Sequence, residues 1–165
     1  MGRTDLLRRF ELYAARNDLT AGVRLGSGVH GIVFSAFRQT EMGRVAVKVH
    51  EREPDYKRER DIYLRLRQNG VETVSGFSVP ELVAYDDELW AIEMTVVDRP
   101  FVLDFAGAYL DRPPDFSDEV LADWSAEKQE QFGDHWPEVR AVVGSFEQFG
   151  VYLIDVNAGN ISFAD

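Results

Sequence analysis

The chain has 165 residues, 45% of them hydrophobic, which is enough for one domain with a sizeable core. It contains no cysteine, so disulfides, thiolate metal sites and a cysteine nucleophile are excluded, and His30, His50 and His135 lack metal-ligand spacing. A net charge of -11 argues against general nucleic-acid binding, which depends on many Lys and Arg releasing counterions from phosphates, and no apolar run approaches a bilayer span or the core of a signal peptide, so a cytoplasmic protein without membrane or nucleic-acid partners is expected.

Taken in order, Thr4-Asp5 can cap a helix in which Leu6, Phe10 and Tyr13 recur at helical spacing until Asn17-Asp18 stop it. Leu19 to Leu25 alternates loosely and leads into Gly26-Ser27-Gly28-Val29-His30-Gly31. Gly26, Gly28 and Gly31 allow the backbone to approach an anion with its N–H donors exposed, because no Cβ intervenes. A dinucleotide fingerprint opens a helix after its third glycine. Here Ile32 to Phe37 is β-branched and aromatic, so the glycines belong to a hairpin of strands. After polar turn material at 39–43 comes Val45-Ala46-Val47-Lys48-Val49. Alternation puts Val45, Val47 and Val49 on one face, with Ala46 and Lys48 on the other.

Beyond Pro54, residues 55–67 read as a helix. Glu59 lies three, four and seven positions before Ile62, Tyr63 and Leu66, so it shares their buried face and needs a cation. Val79 to Tyr85 and Leu89 to Val97 read as two more strands joined at Asp86-Asp87-Glu88. Asp104 to Glu138 holds ten acidic residues against Arg112 and Lys128, and reads as a linker with a short helix or two. Pro137 to Phe149 is an amphipathic helix closed by Gly150. An apolar strand, Tyr152-Leu153-Ile154, then delivers Asp155 into a loop, and Asn160 follows five residues later.

Gly26, Gly28, Gly31 and Val33 followed by Val45-Ala46-Val47-Lys48 resemble the glycine-rich loop and third strand of the protein kinase-like superfamily, and Asp155-x-x-x-x-Asn160 resembles its catalytic loop. The resemblance implies an α+β fold: a five-stranded antiparallel amino-terminal lobe over 1–97 with an N-terminal helix and the Glu59 helix, and a reduced helical carboxy-terminal lobe over 98–165. It implies ATP and Mg²⁺ as cofactors, with Lys48 on the phosphates and Glu59 orienting it. It also implies that Asp155 is the base toward a protein or small-molecule hydroxyl acceptor, and that Asn160 is the metal ligand. Val33 and Ala46 would pack on the base, Ile92 would guard the pocket, and Glu93 and Thr95 would offer backbone contacts.

Two departures stand out. Leu153-Ile154 replaces the His-Arg that precedes the aspartate in many members, and no Asp-Phe-Gly hairpin follows Asn160. Three functions stay open: a compact ATP-dependent phosphotransferase, a pseudokinase that binds nucleotide or a protein partner without catalysis, and a binding module whose glycines only turn a hairpin.

Overall fold

The computed structural model describes residues 2–39 and 43–165, so most of the polar turn expected at 39–43 lies outside the described residues. The element order is α1 (Arg3–Arg16), β1 (Leu19–Gly28), β2 (Gly31–Arg38), β3 (Arg44–His50), α2 (Glu53–Gln68), β4 (Thr73–Val74), β5 (Phe77–Ser78), β6 (Leu82–Asp86) and β7 (Ala91–Thr95). It continues with β8 (Phe101–Val102), β9 (Tyr109–Leu110), α3 (Asp118–Phe132), α4 (Trp136–Glu147), β10 (Val151–Tyr152) and β11 (Ile161–Ser162).

The fold is α+β, built on a five-stranded antiparallel sheet in the order β1-β2-β3-β7-β6. Period-two alternation in β3 gives this sheet two buried faces. Val45, Val47 and Val49 join Leu6, Phe10 and Tyr13 of α1 and Phe34 of β2 in one apolar cluster. Phe10 stacks on Phe34 at 4.3 Å, and burying such a ring contributes about 1.5–3 kcal/mol. Ala46 falls in the other cluster, with Ile62, Tyr63 and Leu66 of α2.

That second cluster continues through Phe105, Val139, Val142, Phe146, Leu153 and Ile161. A small sheet, β11-β8-β5-β4, stitches residues on both sides of position 97. The two parts therefore share one core. Among the described residues no helix is long and apolar enough to cross a membrane.

The structure changes several expected boundaries. Thr4 and Asp5 lie inside the first turn of α1, whose cap is Gly2 with no side-chain bond, because Asp5 turns forward to pair with Arg9 at 3.1 Å. The two strands expected after α2 shorten to β6 and β7, since Pro80 cannot donate to a ladder and Leu89-Trp90 form the turn. The acidic stretch is not mainly linker. Ser117 accepts from the Val120 N–H and starts the 15-residue helix α3, which leads through a 3₁₀ turn (Gly133–His135) into α4.

Candidate functional site

A cavity of about 650 Å³, a size typical of small-ligand pockets, opens under the β1–β2 hairpin and against the Lys48 face of β3. The hairpin turns at Val29-His30, and its glycines divide into two kinds. A Cβ on Gly31 would stand 2.2 Å from the Val49 carbonyl oxygen, so this glycine permits the close approach of β2 to β3. Gly26 and Gly28 line the cavity and have nothing within 4 Å of a Cβ position. They leave room for an occupant.

Lys48 is 5% exposed and projects from β3 into this cavity. Its Nζ lies 2.8 Å from Glu59 Oε2 and 2.8 Å from Asp104 Oδ1. Glu59, fully buried on α2, also takes His50 Nε2 on Oε2 at 2.5 Å and the Phe105 N–H on Oε1 at 3.2 Å. Burial opposes the charge on Glu59, yet Lys48 and His50 overcome it and hold the carboxyl down at about 2. Burial likewise works against the charge on Lys48, and Glu59 and Asp104 outweigh it and raise the ammonium. His50 closes the network from behind, its Nδ1 facing the Trp90 carbonyl oxygen at 3.1 Å.

Asp155 and Asn160 face the cavity from the loop between β10 and β11. The loop is irregular from Leu153 onward, and only Val151-Tyr152 pair as a strand, with β9, so the strand expected at 152–154 is displaced toward Val151. The Asn160 amide braces the turn. Its Oδ1 accepts the Asn157 N–H at 2.9 Å and its Nδ2 donates to the Asp155 carbonyl oxygen. Trp124 of α3 fastens the same loop by donating its indole N–H to the Ile154 carbonyl oxygen at 3.1 Å.

Val33, Ala46, Lys48, Glu59, Thr95, Asp155 and Asn160 all line the one cavity with Gly26, Gly28 and Gly31. Ile92 and Glu93 do not. Lys48 pairs across the ladder with Ile92 and Ala46 with Met94, so both side chains share the cavity's side of the sheet, but Ile92 is sealed in the core and Met94 takes the lining position. Glu93 pairs with Val47 and points to the opposite face, where Tyr13 Oη donates to it at 2.7 Å and Arg38 approaches at 2.6 Å. Its backbone is held in the ladder between β3 and β6. The Thr95 N–H is already bonded to the Glu81 carbonyl oxygen at 3.0 Å, and the chain that lines the cavity next is Val96-Val97.

Asp104 was not singled out from the sequence. It sits at φ 66°, joins Lys48 and also accepts the Ala106 N–H at 3.3 Å. A lone carboxylate inside the apolar run Phe101-Val102-Leu103-Asp104-Phe105-Ala106 was the available signal. No family model matches the chain, and no curated protein shows significant sequence similarity to it.

Proposed function

We propose that the protein is a kinase-like phosphotransferase that moves the terminal phosphoryl group of ATP to a hydroxyl acceptor. One observation carries the reading: the buried Lys48–Glu59 pair faces open glycine backbone on one side and the Asp155–Asn160 loop on the other, within one cavity. Lys48, oriented by Glu59, donates to phosphate oxygens, and the N–H groups around Gly26 and Gly28 receive the remaining charge. The adenine lies between Val33, Ala46 and Met94, with the backbone of Val96-Val97 at its edge. Asp155 accepts the proton of the acceptor hydroxyl as its oxygen bonds to phosphorus and the bond to the ADP oxygen breaks.

The oxygens of Asp104 and Asn160 at this end of the cavity are hard donors of the kind magnesium takes. Among the described residues no group of three or more His, Cys, Asp or Glu could hold a metal by itself, which fits an ion that arrives with the nucleotide and keeps phosphate and water ligands. Bound there, it would neutralise phosphate charge. That Asn160 Oδ1 and Nδ2 both already brace its own loop favours a second reading, a nucleotide-binding protein without transfer.

Titration with ATP, with and without Mg²⁺, followed by a radiolabelled transfer assay, tests both readings. Lys48→Met is expected to weaken nucleotide binding, and Asp155→Ala to abolish transfer while leaving nucleotide affinity nearly intact. Transfer that survives Asp155→Ala removes it as the base. Wild-type protein that binds ATP but transfers nothing to any hydroxyl supports the second reading.

A further inference from the structure

His30 stands at the tip of the β1–β2 hairpin, and its two nitrogens face different partners. Nδ1 lies 3.3 Å from Oδ2 of Asp55, a close approach without the alignment of a hydrogen bond. Asp55 belongs to the first turn of α2 and its side chain is 8% exposed. Arg52, the other charge at Asp55, is 4.0 Å from the same oxygen and largely in solvent. The ring therefore has a buried carboxylate on its inner edge.

Nε2 faces across the cleft. A Cβ on Gly107 would stand 3.7 Å from His30 Nε2 and 3.6 Å from Asp155 Oδ2. The same Cβ would crowd Asp155 Cβ at 3.1 Å, so the glycine lets an imidazole on the sheet side and the aspartate of the opposite loop close on one stretch of backbone. Both residues line the cavity.

We propose that His30, backed by Asp55, is a catalytic residue that touches the terminal phosphoryl group, so that the site distinguishes a triphosphate from a diphosphate. This assignment rests on the phosphotransferase reading. With Nδ1 turned to a carboxylate, Nε2 is the nitrogen left toward the cleft, and an N–H there can be donated to a charged phosphate oxygen. The bond falls on the group that sits beside Asp155. Lys48 and the glycine backbone serve phosphates nearer the sheet, so loss of His30 weakens recognition of the last phosphate alone.

Calorimetric titration of the full chain with ATP and with ADP, each with Mg²⁺, tests this. His30→Ala is expected to lower ATP affinity about tenfold, the value of a charge-assisted hydrogen bond, and to leave ADP affinity within about twofold. His30→Gln, which can still place an N–H near the Nε2 position, is expected to recover most of the loss. Asp55→Asn should fall between wild type and His30→Ala for ATP only. Equal losses for ATP and ADP, or no loss for either, with the unfolding midpoint unchanged, would overturn the assignment while leaving the phosphotransferase reading intact. Wild-type protein that binds neither nucleotide would overturn both.

Discussion

Glu59 receives Lys48 and His50 from β3 and the Phe105 N–H from a segment far along the chain, and its charge is what makes their convergence favourable. Removing one partner of a buried ion pair leaves an uncompensated charge, so Glu59→Gln should cost about 3–5 kcal/mol in urea unfolding. The pH dependence has a definite sign. The folded carboxyl titrates at about 2 against an ordinary 4.5, so the unfolded chain binds a proton that the folded chain refuses. The stability this group contributes is complete above about 4.5 and disappears as pH falls through about 2. Urea midpoints measured from pH 6 to pH 2 should decline across that window in the wild type and decline less in Glu59→Gln. Equal slopes for the two would remove Glu59 as the source. The pairing was legible because one carboxylate on the apolar face of a helix demands a cation, and Lys48 is the polar member of an otherwise apolar strand. His50 was not legible, since its partnership depends on β3 passing over α2.

At the scale of elements, the glycine hairpin and β3 act as one unit with two separable jobs. Gly31 lets β2 press on the Val49 carbonyl, whereas Gly28 borders empty space. Gly31→Ala should therefore cost about 3 kcal/mol, because a methyl group at 2.2 Å from a backbone oxygen forces the strands apart. Gly28→Ala should change stability by less than about 0.5 kcal/mol and weaken ATP binding roughly tenfold, as a methyl group enters the cavity. Thermal unfolding and nucleotide titration of the two variants should give opposite profiles, and a matching pair of profiles would refute the division. Sequence alone treated the three glycines alike, because spacing carries no record of what each backbone faces. Strand β3 was readable for the same reason that α1 was, since each presents a continuous apolar face, whereas β1 alternates loosely and buries only Leu19. Helix α3 was foreseen only as a short helix or two, and its 15-residue length was not readable, since among its residues only Phe132 is buried. Two-residue strands such as β5 and β8 have no period to read.

Across the whole molecule, α2 ties the sheet to the segment that follows β8. Arg58 donates to the Ala106 carbonyl oxygen at 3.0 Å, Glu59 takes the Phe105 N–H, and Arg65 grips Asp111 with two nitrogens at 2.7 and 2.9 Å and also donates to Phe149 O at 2.9 Å. Helix α2 is thereby held with Glu59 against Lys48, and the cavity walls belong to one connected body in which the Asp155 loop is fastened through Trp124. A nucleotide spanning the cavity from Val96-Val97 to Asp155 must then touch segments distant in sequence at once. Hydrogen exchange read by mass spectrometry should show ATP with Mg²⁺ slowing exchange in 26–31, 95–97 and 155–160 together, because a ligand that binds only the closed native state suppresses local opening wherever it bridges walls. On the phosphotransferase reading the terminal phosphate faces that loop, so ADP should protect the first two segments and leave 155–160 closer to the free protein. Protection confined to 95–97 would place the nucleotide at the apolar end alone, with its phosphates outside the reach of Lys48 and Asp155, and the phosphotransferase reading would fall.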